Sequence, residues 1–325
     1  MLRSQSRRVQ DTGCRIQGSL LPAPRILHPQ STRMAMLCAF GALAITGCSD
    51  SYDRGPKVNL TTADSYRKAL IESGGGTEGA VEAASTGTGW ATIRGQFVYD
   101  GTPPAPKPYN VTKEQNICSN NGQIHPEETL VVDESSKGIK NVAIFLREAP
   151  RVHDSAKPKE DSVVFDQKHC VFLTHMLGAT VGQTIDIKNS DPTGHNTNII
   201  GTGFNPIVPE GASVPFKVQK EGAVPFKVVC SIHPWMVAHI LTRENGYFAI
   251  TDDQGRFEIA NVPAGEPIEF QVWHESGGAS GSGLVGATPD AADLKWSERG
   301  RVTVTLQPDE VKEIKVVVPP NAFRS

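Results

Sequence analysis

The sequence of 325 residues is informative first through what it lacks. It has no continuous apolar stretch of about 18 residues, so no segment is expected to span a membrane as a helix. It has no excess of positive charge, since 32 Lys and Arg stand against 35 Asp and Glu, which argues against a nucleic-acid binder and a polybasic membrane binder. The 38% of apolar residues are enough for a core, and the length suggests one or two domains.

The amino-terminal residues 1–47 are predicted to be a leader rather than part of the fold. Residues 1–33 are rich in Arg and Ser and nearly free of acids. An apolar run follows that is too short to cross a bilayer but suits the core of a signal peptide. We expect residues 1–33 to be an over-extended start, with an organellar transit peptide as the alternative.

The apolar run ends in Ile45-Thr46-Gly47-Cys48, which resembles a bacterial lipobox. The resemblance implies that Cys48 is lipidated, so that the protein is a membrane-anchored lipoprotein on the periplasmic side of the cell envelope. An ordinary signal peptide with a chance cysteine is the alternative. Residues 48–87 contain Gly-rich and Ser/Thr-rich stretches and are predicted to be a flexible linker behind this anchor.

Short alternating segments separated by turn signals predict an all-β fold for the rest of the chain. Trp90–Tyr99 alternates and ends in Asp-Gly, and Thr184–Asn189 alternates strictly. Phe248–Ile259 is predicted to be a hairpin around Asp-Asp-Gln-Gly. Further strands are predicted over residues 141–147, 224–230, 268–273, 302–306 and 311–318.

One short segment carries three kinds of metal-ligating side chain. Cys230, His233 and Met236 have the spacing Cys-x2-His-x2-Met at the end of a predicted strand. Thiolate, imidazole and thioether groups in one loop are soft ligands suited to copper. A second imidazole has to come from another loop, and His195, shortly after Thr184–Asn189, is the candidate. A lone Cys or Met is more often core packing, but both types are scarce beyond the leader.

These motifs resemble those of the cupredoxins, in particular the plastocyanin and amicyanin group, over residues 130–245. The resemblance implies a Greek-key β-sandwich that holds one type 1 copper. The implied ligands are His195, Cys230, His233 and Met236.

The same resemblance assigns roles to the neighbours of the ligands. Asn196 is expected to hydrogen-bond to Ser231 and so to tie the two ligand loops together. His233, with Trp235 beside it, is expected to lie nearer the surface than His195 and to form the port for electrons.

The remaining cysteines of the exported part, Cys118 and Cys170, are then left to pair. We predict a disulfide between them, because spare thiols tend to be oxidised outside the cytoplasm. His169 and His175 flank Cys170 closely, so a second copper site there is an alternative to ordinary surface or hydrogen-bonded histidines, which are more common.

The chain continues well past Met236, and the continuation resembles another family. Thr-Asp-Asp-Gln-Gly-Arg-Phe-Glu-Ile, followed by Asn-Val-Pro-Ala-Gly, resembles the carboxypeptidase regulatory-like fold, a smaller transthyretin-like β-sandwich. The predicted domains are therefore a cupredoxin-like domain at 88–245 and a carboxypeptidase regulatory-like module at 246–320. Residues 88–102 are candidates to pair with this second module. The combination resembles proteins described as methylamine-utilisation-like.

The motifs favour electron transfer over catalysis. The sequence shows no acid–base pair, nucleophile triad or phosphate loop beside the ligand set, and no His-x-His for a multicopper oxidase. We therefore expect no enzyme but a carrier of single electrons between a donor and an acceptor protein, bound to the membrane through its lipid and without a nucleic-acid partner. The alternative is a non-catalytic copper scavenging or delivery protein, or a surface binding protein on a cupredoxin frame.

Overall fold

A computed structural model describes residues 87–324, except 120, 121, 123, 279–282, 285 and 292. The predicted leader, the predicted lipid attachment at Cys48 and almost all of the predicted linker lie outside the described residues. The described part is all-β, which confirms the predicted fold class. It has one four-residue helix, α1 (Gln115–Cys118), and two short 3₁₀ helices. None of its helices is long and apolar enough to cross a membrane.

Nineteen strands make up the described part of the chain. They are β1 (Trp90–Tyr99), β2 (Ala143–Leu146), β3 (Ser162–Lys168), β4 (Val171–Phe172), β5 (Met176–Thr180), β6 (Thr184–Asn189), β7 (His195–Asn196), β8 (Asn198–Ile199), β9 (Ile207–Val208), β10 (Ser213–Lys217), β11 (Phe226–Val229), β12 (Val237–Arg243), β13 (Phe248–Ile250), β14 (Arg256–Pro263), β15 (Pro267–Trp273), β16 (Thr288–Pro289), β17 (Lys295–Trp296), β18 (Arg301–Thr305) and β19 (Val311–Val318).

Eight of the ten strands from β3 to β12 form an inner sandwich of two four-stranded sheets, whereas β7 and β9 pair only with each other. One sheet has the order β10-β6-β3-β4, and the other has the order β5-β12-β11-β8. Successive side chains of β6 point to opposite faces of the sheet. Ile185 and Ile187 are therefore fully buried on the core side, while Lys188 is exposed on the other side. Phe165 of β3 and Ile240 of β12 belong to the same apolar cluster. This cluster also contains Cys230 and Met236, so two predicted ligands sit at the edge of the core.

The strands β1 and β2 and the strands β13 to β19 form an outer sandwich. One sheet has the order β14-β1-β19-β16, and the other has the order β13-β2-β15-β18-β17. β1 runs antiparallel to β14 and parallel to β19. Ile93, Phe97 and Val316 from one sheet pack against Ile144 and Phe270 from the other in a single core.

The outer sandwich takes strands from both ends of the described part, and the domain limits at 88–245 and 246–320 stay a prediction. β1 and β2 both belong to the outer sandwich, so the inner sandwich is enclosed by it in sequence. The predicted hairpin at Phe248–Ile259 is wrong in its pairing. β13 pairs with β2, whereas β14 pairs with β1, so the two arms diverge into separate sheets after the turn.

The two sandwiches pack against each other through a small apolar layer. Phe145 and Trp273 of the outer sandwich contact Met176 and Leu241 of the inner sandwich in this layer. β12 therefore has apolar contacts on both faces, with Ile240 in the inner core and Leu241 in the layer between the sandwiches. Burial on both faces removes the alternation by which a strand is found in a sequence, and this strand was not predicted.

Candidate metal centre

The segment from Cys230 to Met236 forms the whole connection between β11 and β12. Its ends are joined by a hydrogen bond from the Cys230 backbone N–H to the Met236 carbonyl, with N···O 3.2 Å. Inside the loop, the Met236 N–H donates to the His233 carbonyl at 2.9 Å. The loop is thus a closed turn that directs Cys230, His233 and Met236 inward, and their exposed fractions are 2%, 0% and 1%.

His195 reaches the same place from β7, which pairs with β9. Its Nδ1 lies 3.0 Å from the Nδ1 of His233, and the Sγ of Cys230 lies 3.9 Å from that same His233 atom. One ligand atom from each of the three residues lies within 4.8 Å of the others. His195 therefore meets His233, which lies 38 positions later in the chain, and Cys230 from the same loop.

Asn196 links the two ligand loops through two contacts, and a third contact holds its own side chain. Its Oδ1 accepts a hydrogen bond from the backbone N–H of Ser231 at 3.0 Å. Its own backbone N–H points at the Cys230 sulfur at 3.4 Å. Its Nδ2 donates to Asn205 Oδ1 at 2.6 Å, on the turn before β9. The position of the cysteine is thus fixed from the neighbouring loop.

A carboxylate holds the outer nitrogen of each histidine. Asp191 Oδ2 lies 2.7 Å from Nε2 of His195, and Glu114 Oε2 lies 3.0 Å from Nε2 of His233. The carboxylates fix the ring orientation, so that both Nδ1 atoms face the cysteine. Asp191 is itself held by the backbone N–H groups of His169 and Cys170.

Sequence reasoning missed both carboxylates. Asp191 lies four residues before His195 on the turn that leads to β7, so a carboxylate close to a ligand histidine was a readable signal. Glu114 gave no such signal, because it lies 119 residues before His233. Only the fold brings it to the site.

The electrostatics of the centre favour a thiolate. Burial alone would raise the pKa of Cys230, but hydrogen bonds from His195 and from backbone N–H groups hold that pKa below its ordinary value. Burial also opposes a charge on His195, yet the hydrogen bonds to Asp191 and Cys230 raise its pKa to about 9. Burial, together with the charge of His195, lowers the pKa of His233. Thiolate is the form in which a cysteine binds soft metals.

A disulfide joins Cys118, at the end of α1, to Cys170. One ring nitrogen of His233 lies within 4.8 Å of both bridge sulfurs. The bridge therefore anchors the segment that carries Glu114 over the metal centre. Trp235 adds to the same layer, since its indole N–H donates to the Cys170 carbonyl at 3.0 Å and its ring lies 5.2 Å from that of His233.

The expectation that His233 lies nearer the surface than His195 stays a prediction. His195 and His233 are both 0% exposed, so neither imidazole reaches the surface. Glu114, whose side chain is 41% exposed, covers the outer edge of His233, and half-buried Trp235 lies beside it. The loop segment before α1 supplies this cover.

The histidines around Cys170 do not share a site. His169 stacks on His125 with ring centroids 5.7 Å apart. His175 lies instead beside His239 and Glu275, at the junction of the two sandwiches. Spacing alone could not find this second cluster, because its members come from three separate parts of the chain.

The donor set fits copper. Two imidazole nitrogens and one thiol converge, with a buried thioether in the same loop, and soft donors of this kind suit copper. His195, Cys230 and His233 are the residues that would hold the ion, and Met236 stays a predicted fourth ligand.

No protein-family model matches this sequence, and no curated protein matches it. Among solved structures, amicyanin from Paracoccus versutus is 16% identical with a TM-score of 0.23, and the match covers 30% of this chain and 96% of that chain. A reduced mutant amicyanin is 17% identical with a TM-score of 0.24, covering 28% and 93%. A copper-containing nitrite reductase from Thermus scotoductus is 23% identical with a TM-score of 0.23; this chain covers only 22% of its length. Similarities at this level carry no argument about what the present chain does.

Proposed function

We propose that this protein is a type 1 copper protein of the cupredoxin kind that carries single electrons between redox partners in the cell envelope. The convergence of His195 Nδ1, His233 Nδ1 and Cys230 Sγ in a buried pocket is the observation that supports the proposal. A bound copper ion would supply a one-electron Cu(I)/Cu(II) couple.

The residues of the chain account for the rigidity that such a site needs. Asn196 fixes Cys230 from the neighbouring loop, and Asp191 and Glu114 fix the two imidazole rings. Burial of all of the proposed ligands excludes bulk water. A donor set that cannot rearrange suits both oxidation states about equally, and this lowers the cost of each electron transfer.

The surroundings of the site bear on its partners. The surface nearest His233 is formed by Glu114 and by half-buried Trp235. We assign the docking of a donor or acceptor protein to this surface. The proposal assigns no catalytic residue and no nucleic-acid partner, and it treats the outer sandwich as a carboxypeptidase regulatory-like module that binds or spaces.

The proposed location depends on the sequence motif at Ile45–Cys48, which favours a lipid-anchored protein on the periplasmic side. The Cys118–Cys170 disulfide supports an oxidising compartment, because disulfides persist mainly outside the cytoplasm. Labelling with a radioactive fatty acid, compared with Cys48→Ser, tests the anchor. Equal labelling of the two proteins would refute it.

The optical and EPR spectra of the purified full-length chain with one equivalent of Cu(II) test the function. We expect an intense visible band from thiolate-to-copper charge transfer that ascorbate bleaches reversibly and that is lost in Cys230→Ser. Cys48→Ser is the matched control, since it removes a cysteine outside the ligand set. Stoichiometric copper without the band would favour scavenging or delivery, and no binding would reject the copper proposal.

A further inference from the structure

A cluster of two histidines and a carboxylate lies where the two sandwiches meet, away from Cys230. His175 directly precedes β5, His239 lies in the middle of β12, and Glu275 follows β15. One ligand atom of each lies within 4.8 Å of the others. Neighbouring strands bring the histidines together, because His239 pairs with Met176 and its backbone N–H donates to the His175 carbonyl at 2.8 Å.

The groups of this cluster face each other. His175 Nε2 contacts Glu275 Oε1, and His239 Nδ1 lies 3.9 Å from Glu275 Oε2. The other ring nitrogen of His175 lies 3.7 Å from Glu128 Oε2, so a second carboxylate orients that ring from behind. The side chains of His175, His239 and Glu275 are only 4%, 7% and 13% exposed.

An unpartnered atom points to a ligand. The side chain of His239 is more than nine-tenths buried, yet its Nδ1 has no hydrogen-bond partner. Buried polar atoms are nearly always satisfied, so this one needs an explanation. The contact between His175 Nε2 and Glu275 Oε1 accounts for those two residues but leaves His239 Nδ1 without a hydrogen-bond partner.

We propose that His175, His239 and Glu275 form a second metal site, which binds one divalent transition ion, Zn²⁺ in the first place, between the two sandwiches. Two imidazoles and a carboxylate are nitrogen and oxygen donors that zinc accepts in a tetrahedral site. The cluster has no sulfur ligand, so it does not share the preference of the Cys230 centre for Cu(I).

The position of the site gives it a structural task. β5 and β12 belong to the inner sandwich, whereas Glu275 follows the end of β15 in the outer sandwich. An ion held by all three residues would cross-link the two sandwiches beside the apolar layer of Phe145, Met176, Leu241 and Trp273. Binding to the folded state alone would therefore raise the unfolding temperature of the whole described part.

Zinc binding by the full-length chain that carries Cys230→Ser tests the proposal, because this background removes the thiolate of the copper centre. Equilibrium dialysis against Zn²⁺ should give one tightly bound equivalent, together with a rise in the unfolding temperature. Adding Glu275→Gln should weaken binding at least tenfold and abolish the temperature rise, while Glu298→Gln, an exposed carboxylate, serves as the matched control.

Adding His239→Gln should have the same effect as Glu275→Gln. If that variant does not fold, Glu275→Gln decides alone, because glutamine retains a hydrogen-bond partner for His175. Unchanged zinc stoichiometry and affinity in Glu275→Gln, or no bound zinc in the Cys230→Ser parent, would overturn the proposal. Neither result changes the copper spectrum that is expected of the chain with Cys230 in place. The zinc proposal and the copper proposal can therefore fail separately.

Discussion

Replacing Asn196 by alanine should release the cysteine loop from the histidine loop. The change removes the acceptor of the Ser231 N–H and two donor contacts, to Asn205 Oδ1 and to the Pro206 carbonyl at 3.2 Å. At a net value of about 1 kcal/mol per hydrogen bond, the three lost bonds would lower the free energy of unfolding by about 3 kcal/mol. Water can replace part of them at the exposed residues Ser231 and Asn205, so we expect a loss of about 2 kcal/mol. Urea unfolding of the full-length chain at pH 7 measures this loss.

The local effect can be read at the sulfur itself. Cys230 is free but only 2% exposed, so a thiol reagent reaches it only when the loop opens. A loss of about 2 kcal/mol in the free energy of opening this loop should speed the modification of Cys230 roughly 30-fold. Mass spectrometry of the peptide that contains Cys230 follows the modification. Asn205→Ala is the control, because it removes a single contact and leaves Asn196 bonded to Ser231. Equal unfolding midpoints and equal labelling rates in the two variants would refute the link between the loops.

Three further predictions concern the surroundings of the centre. Replacing Cys118 and Cys170 together by alanine should lower the free energy of unfolding by up to about 4 kcal/mol, since the bridge spans 52 positions; an unchanged urea midpoint would contradict this. Glu114→Ala should uncover the ring edge of His233, so that diethyl pyrocarbonate modifies this residue several-fold faster by peptide mapping, and an equal rate would show that Glu114 is not the cover. Burial raises the pKa of Tyr109 to about 12, so the unfolded chain loses this proton first and stability should fall above pH 10; an ultraviolet titration should show a late tyrosine that is missing in Tyr109→Phe.

Alternation of apolar and polar residues predicted three strands with the limits that the structure shows. Trp90–Tyr99, Thr184–Asn189 and Val311–Val318 alternate, and the structure gives them the same limits. Val237–Arg243 could not be found in this way, because it is covered by apolar layers on both faces. The hairpin at Phe248–Ile259 failed for a different reason: a turn signal specifies a reversal of the chain but not the sheet that each arm joins.

In the candidate metal centre, residues close in the chain could be predicted, and a residue brought in from far away could not. Cys230, His233 and Met236 lie in one loop, so their spacing alone indicated a shared site, and the strand before His195 indicated where a second imidazole lies. Glu114 could not be predicted, because nothing local links it to a residue 119 positions later. The cover that it forms over His233 is therefore a property of the fold and not of the motif.

The pairing of β1 between β14 and β19 restricts the order in which the chain can fold. Arg94 and its cross-strand partner Glu313 are 219 positions apart, and contacts of such separation form slowly because a long loop must close first. The inner sandwich shortens that search, since the Gly246 N–H donates to the Ala156 carbonyl at 2.7 Å and so brings its two ends together. Once the inner sandwich has folded, the residues between these ends no longer add to the length of the flexible loop that must close. The route of lowest entropy cost thus begins in the middle of the sequence and finishes with its first and last strands.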